Sequence, residues 1–171
     1  MKQIAIGVSS CLLGHRVRYD GRDKRNSIVE NELCSRFQCI PLCPEYAIGL
    51  GVPRAPVQLI QDGENFAVVG VADCSMDITT SLRGYADFVG NTLIDLCGYI
   101  FKSRSPTCGL TDTPVFDHHG KEVGKGRGEY AARLIRHCAD LPAIDEIQLA
   151  DPNLRQEFIL QVETYSMSLK R

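Results

Sequence analysis

Ile4-Ala5-Ile6-Gly7-Val8-Ser9-Ser10-Cys11-Leu12-Leu13-Gly14 decides how this chain is read. Ile4 to Val8 is a short apolar run of the kind that forms a buried strand. The strand ends near Ser9 and so brings two hydroxyls, a thiol and a glycine to a turn. Two later stretches have the same form: Cys39-Ile40-Pro41-Leu42-Cys43-Pro44-Glu45 and Gly98-Tyr99-Ile100-Phe101-Lys102-Ser103-Arg104-Ser105-Pro106-Thr107-Cys108-Gly109. Each is an apolar run that ends in a cysteine beside Pro or Gly. The three thiols Cys11, Cys43 and Cys108 are expected to meet at one site.

The 171 residues suffice for one domain with a full core, and residues 1–171 are read as a single α/β domain. Hydrophobic content of 44% and charged content of 23% are those of an ordinary globular protein. A net charge of -2 supplies no field for nucleic acid or an anionic membrane. Met1-Lys2-Gln3 and five apolar residues do not make a signal peptide, and no apolar run is long enough to span a bilayer. A cytoplasmic location is therefore expected. There the eight cysteines should stay reduced, with metal binding or catalysis favoured over disulfides. Five of them (Cys34, Cys39, Cys74, Cys97 and Cys138) are explained by helix stripes, strand interiors or a strand edge.

Residues 14–25 form a basic loop with an Asp20-Gly21 turn, carrying Arg16, Arg18 and Arg22. It is either a solvated loop or a phosphate-binding loop beside Cys11. Asn26 or Ser27 caps a helix to Phe37, with Val29, Leu33 and Phe37 inward and Cys34 beside them. A second strand covers 38–42, with Cys39 inward. Residues 44–56 are irregular. Residues 57–60 and 66–71 form a hairpin. A long helix runs from Asp77 to about Leu96 and ends at Gly98, followed by a strand over 99–102. A Gly-rich loop extends from Ser103 to Gly128, its Asp117-His118-His119-Gly120 stretch read as a solvated turn. A helix over 129–138, a strand within 144–149 and a final helix capped at Asp151-Pro152 complete the chain. Its inward face is Leu154, Phe158, Val162, Tyr165 and Leu169.

Strands alternating with helices predict a Rossmann-like domain with a mainly parallel sheet and an added β-hairpin. In such sheets ligands bind beyond the carboxyl ends of the strands, where Cys11, Cys43 and Cys108 are placed. Three thiolates can hold zinc, an iron–sulfur cluster, or serve one catalytic thiol, and spacing does not separate these. Three protein ligands leave one metal position open, and Cys39 or Cys74 is the candidate that would close it. Glu45 is placed as general acid or base if burial raises its pKa, or else as a partner of Arg54. Ser105 is placed to steady an anion or orient a water. Ser9 and Ser10, with the N–H groups of Leu12-Leu13-Gly14, suggest an anion nest.

Ser9-Ser10-Cys11-Leu12-Leu13-Gly14, Val17-Arg18-Tyr19-Asp20-Gly21, Cys43-Pro44-Glu45, Gly49-Leu50-Gly51-Val52-Pro53-Arg54, Asp77-Ile78-Thr79 and Ser105-Pro106-Thr107-Cys108-Gly109 occur in order. Together they resemble the thiouracil desulfurase family over roughly residues 5–140. The resemblance implies a Rossmann-like fold and an oxygen-sensitive [4Fe-4S] cluster on Cys11, Cys43 and Cys108 with one open iron. It also implies Glu45 and Ser105 as the assisting, catalytic residues. The substrate implied is a thiolated pyrimidine, as base or nucleotide, with Arg16, Arg18 or Arg22 free to bind a phosphate. Thr107 stands where the family has Ser, which keeps the hydroxyl. Residues 124–128 fit the family's glycine-rich stretch less closely. The rival readings are a non-catalytic iron–sulfur or zinc sensor, which needs a fourth ligand, and a thiol oxidoreductase, which needs a resolving cysteine.

Overall fold

The computed structural model describes residues 3–169. β1 (Ala5–Ser9) runs into a 3-10 turn, Ser10–Leu13. A π-helical turn, Val29–Leu33, continues as α1 (Cys34–Arg36) and leads to β2 (Gln38–Leu42). Asn26 caps this segment by accepting the N–H of Val29 at 3.1 Å. α2 (Pro44–Ala47) is one turn, started by a proline at its first position, where no N–H is required. β3 (Val57–Asp62) and β4 (Asn65–Gly70) form the expected hairpin. Then come α3 (Thr79–Thr92), β5 (Leu96–Phe101), β6 (Thr113–Phe116), β7 (Glu122–Gly126), α4 (Glu129–His137), β8 (Ala143–Asp145) and α5 (Pro152–Leu169).

The fold is α/β and has two sheets rather than one. The first is parallel throughout, in the order β2-β1-β5-β8. The second is mixed, in the order β4-β3-β6-β7, with β3 and β6 parallel and the outer pairs antiparallel. The predicted hairpin is thus an edge of the second sheet and not an addition to the first. Residues 103–128, predicted as one loop, contain the β6–β7 pair. β7 is exposed along nearly all its length and rich in glycine, so no apolar alternation announces it. Its pairing with β6 makes it a strand.

Two apolar clusters flank the parallel sheet. Ile6, Val8, Cys97 and Ile100 face one that includes Val29, Leu33, Phe37, Phe158 and Val162. Leu96, Tyr99 and Phe101 face the other, with Leu82, Ala86, Val89, Tyr130 and Leu134. A sheet buried on both faces explains why every residue of β5 is buried. The α3 boundary falls earlier than predicted. The helix stops at Thr92, and Leu96, Cys97 and Gly98 belong to β5, where Leu96 pairs with Ala5. Burial of both faces of a central strand outweighs one more turn of helix. Gly98 therefore ends no helix; it lets α5 approach the sheet, since a Cβ there would stand 2.6 Å from Val162 Cγ2. In α5, Phe158 and Val162 are buried as expected, whereas Leu154 and Leu169 are exposed.

The cysteines need a second correction. Cys34 and Cys39, expected as reduced and apolar, are joined in a disulfide across a Cα–Cα distance of 5.5 Å, within the usual range. Both are only partly buried. Five residues apart, at a helix end and the following strand, they meet because the chain reverses at Phe37. Among the described residues Cys11, Cys43, Cys74, Cys97, Cys108 and Cys138 are outside any disulfide, and Cys74 is exposed. No helix is long and apolar enough to cross a membrane among the described residues.

The packing at Gly98 can be checked directly. Gly98→Val should overpack the α5–β5 contact by roughly 1–3 kcal/mol and lower the melting temperature by about 5 °C in a calorimetric scan.

Candidate active site

β2, β1 and β5 are neighbours and parallel, so their carboxyl ends lie on one edge of the sheet. A cavity of about 370 Å³ opens there. Ser9, Ser10, Cys11, Cys43, Glu45, Ser105 and Cys108 all line it. Of the loop arginines, Arg18 is on the wall, while Arg16 and Arg22 are exposed and outside it. The basic loop is pinned to the first strand end by Lys24 N–H to Cys11 C=O at 2.9 Å and Asn26 N–H to Leu12 C=O at 2.9 Å.

Cys11 and Cys108 are buried and Cys43 partly so. Burial pushes the Cys11 thiol from an ordinary 9.0 up to about 11, against the opposing pull of Arg18 and Lys102. Burial also raises Cys108, opposed by the Thr107 hydroxyl and reinforced by Cys43, Glu45 and Cys11. Cys43 is raised by burial, opposed by the N–H of Tyr46. Cys43 acts electrostatically on both other thiols, and Cys11 on Cys108, so the three lie within electrostatic reach of one another. Cys108 shares its apolar cluster with the stacked rings of Tyr99 and Phe101 and with Tyr130, which stands edge-on to them.

Glu45 sits in the first turn of α2 and is paired with Arg54, two guanidinium nitrogens standing 2.8 Å from Oε2. The Arg54 side chain is 6% exposed and that of Glu45 14%. Arg54 is itself fixed by donating to Gly51 C=O at 2.8 Å and to Tyr19 C=O at 2.9 Å. The pairing weighed as an alternative in the sequence thus exists, and Glu45 remains on the cavity wall. Its second oxygen, Oε1, accepts the Thr107 hydroxyl at 3.0 Å.

Ser105 opens a tight turn in which its Oγ accepts the N–H groups of Cys108 at 3.0 Å and Thr107 at 3.3 Å. Gly109 closes the turn with its N–H on Ser105 C=O at 2.8 Å, and a Cβ at Gly109 would collide with Thr113 Oγ1. Ser9 Oγ accepts the N–H of Lys102 at 3.0 Å, tying the β1 end to the β5 end. Lys102 is ion-paired with Glu146. Of the three N–H groups expected in an anion nest, that of Gly14 is committed to Cys11 C=O at 3.2 Å.

Sequence reasoning overlooked Lys102, Glu146 and the part played by Thr107. Lys102 follows a strand end directly and was detectable on that ground. Glu146 had no local signal, since only the β5–β8 pairing brings it near. Neither Cys39, which is in the disulfide, nor Cys74 is on the cavity wall. Among the described residues no group of three or more His, Cys, Asp or Glu side chains is arranged to hold a single metal ion.

The fold and site define an α/β protein with a thiol-lined pocket at the carboxyl edge of a parallel sheet. A sequence profile described as 2-thiouracil desulfurase matches residues 6–146, which include every residue discussed for this site. The chain belongs to that family. It is similar to a solved structure described as the [4Fe-4S]-dependent thiouracil desulfidase TudS, with 32% identity and a TM-score of 0.67 over 93% of this chain and 99% of that one. No curated protein sequence matches the chain.

The buried thiols set a pH dependence. The Cys11 proton is held more tightly in the folded chain, at about 11, than at the ordinary 9.0. This contribution to stability is fully present below pH 9 and is lost as pH rises through about 11; it amounts to roughly 3 kcal/mol. Metal-free protein should therefore melt lower at pH 10.5 than at pH 8, and Cys11→Ser should lessen that dependence while the share owed to Cys108 and Cys43 remains.

Proposed function

We propose that this chain is a cytoplasmic [4Fe-4S]-dependent desulfurase, a single Rossmann-like α/β domain over residues 1–171. It removes sulfur from a thiolated pyrimidine, base or nucleotide, to give uracil or its nucleotide and hydrogen sulfide. The observation that carries this reading is the meeting of Cys11, Cys43 and Cys108 with Glu45 and Ser105 around one cavity. Family membership and the described activity of the similar structure support it.

The donor set fits the cluster. Three free thiols, no other cysteine on the wall, and the cations Arg18 and Lys102 beside Cys11 suit a group held by thiolates. No fourth cysteine lines the cavity among the described residues, so a cluster held by Cys11, Cys43 and Cys108 would keep one position for substrate. The cluster, when bound, supplies a soft Lewis acid that prefers sulfur to oxygen.

The remaining steps belong to the chain. Glu45 takes a proton from water as the water oxygen bonds to the thiocarbonyl carbon, and the C=S π pair moves onto sulfur. The carbon–oxygen double bond then forms as the carbon–sulfur bond breaks. Both protons of the water end on the sulfide, so nothing is oxidised or reduced. Arg54 keeps Glu45 turned to the cavity, and Ser105, on the same wall, sets the turn that carries Cys108 by accepting its N–H. Arg18 Nε is buried without a hydrogen bond, its nearest carboxylate being Asp20 at 3.9 Å. It is a donor available to a substrate phosphate. Arg16 and Arg22, outside the wall, are left as solvated charges.

Anaerobic reconstitution should give about four irons per chain, and Cys11→Ser, Cys43→Ser and Cys108→Ser should each lose them. The loaded protein should release sulfide from at least one of 2-thiouracil, 4-thiouracil and 4-thiouridine monophosphate. Glu45→Gln should keep its iron and lose about 100-fold or more in kcat. An intact cluster without turnover would sink the desulfurase reading. Arg18→Ala should weaken the nucleotide about tenfold and leave the free base unchanged, as measured by KM for the two substrates.

A further inference from the structure

Ser105 Oγ has one proton and two lone pairs. Both lone pairs are taken by backbone N–H groups, those of Cys108 at 3.0 Å and Thr107 at 3.3 Å. Its proton therefore goes to Thr107 Oγ1, 3.0 Å away. Thr107 Oγ1 also has one proton, and two acceptors compete for it: Glu45 Oε1 at 3.0 Å and Cys108 Sγ at 3.6 Å. An ionised oxygen at ordinary hydrogen-bond length is the stronger acceptor. The bonds thus run one way, from Ser105 to Thr107 to Glu45, and Arg54 holds the far oxygen of Glu45 at 2.8 Å.

We propose that Thr107 is a positioning residue, whose hydroxyl is the crossbar that fixes Glu45 and Ser105 relative to each other; the inference rests on the desulfurase reading above. Glu45 comes from the end of β2 and Ser105 from the end of β5, with β1 between them. Thr107 is the one described side chain hydrogen-bonded to both. It is 1% exposed, so bulk water does not replace its hydroxyl. Its methyl limits the side-chain rotation and keeps the hydroxyl aimed. Its backbone is held independently: Ala131 N–H donates to Thr107 C=O at 3.1 Å, and Gly128 packs so closely that a Cβ there would stand 2.5 Å from the Thr107 carbonyl carbon. Removing the hydroxyl should therefore spare the turn and free the two side chains it joins.

The test compares wild type, Thr107→Val and Thr107→Ser, reconstituted anaerobically to equal iron per chain, together with a crystal structure of metal-free Thr107→Val. The expected result is a kcat at least tenfold lower in Thr107→Val with KM within about twofold, and Thr107→Ser within about threefold of wild type. In the metal-free variant Glu45 should keep Arg54 while Oε1 and the Ser105 hydroxyl move apart. A Thr107→Val kcat within about twofold of wild type, or a Thr107→Ser loss as large as that of valine, overturns the proposal. So does a metal-free variant with Glu45 and Ser105 unmoved. Thr107→Ala is read in the same way if valine does not fold. If wild type releases no sulfide, the desulfurase reading fails, and the metal-free structure still decides the crossbar.

Discussion

Parallel pairing of β1 between β2 and β5 is the constraint on which the site depends. Parallel strands end on the same side, so three segments far apart in the chain leave the sheet at one edge. Ser9 to Leu42 in one register, and Val8 to Ile100 in the other, place Cys11, Cys43 and Cys108 within electrostatic reach of one another. The pairing holds because both faces of β1 and β5 are covered by apolar clusters. A slip of one residue in either ladder would exchange the buried and facing sets and part the thiols.

The edge is then stiffened by charge. Arg54 with Glu45 and Lys102 with Glu146 are shielded ion pairs that join different strand ends and loops. Shielding costs desolvation, and hydrogen bonds to Gly51 C=O and Ser103 return part of it. The thiols themselves are uncharged at neutral pH when metal-free, because burial outweighs the nearby cations. In the proposed cluster-bound state the thiols would be ionised, and those cations would then face negative charge.

Much of this was legible in the chain. The first two strands, the β3–β4 hairpin, α4 and the three strand-end cysteines follow from apolar runs, turn residues and caps read locally. The misses have physical causes. Leu96 and Cys97 continue a helical pattern, yet the sheet buries both of their faces and claims them. β7 is exposed and glycine-rich, and exists through its partner β6. The disulfide joins cysteines that looked like separate apolar fillers, because the reversal at Phe37 sets their distance.

The sequence by itself determined which residue types reach the strand ends: thiols, Glu45, Ser105 and a basic loop, each marked by its neighbours in the chain. Only the tertiary structure decided which of them act together. It admitted Arg18 and left Arg16 and Arg22 outside, paired Glu45 with Arg54, consumed the Gly14 N–H, and set Thr107 between Glu45 and Ser105. The reason is that hydrogen bonds and ion pairs depend on separations of a few ångströms between segments tens of residues apart. Local pattern fixes which face a residue takes, whereas the packing of the two sheets and their helices fixes what that face meets.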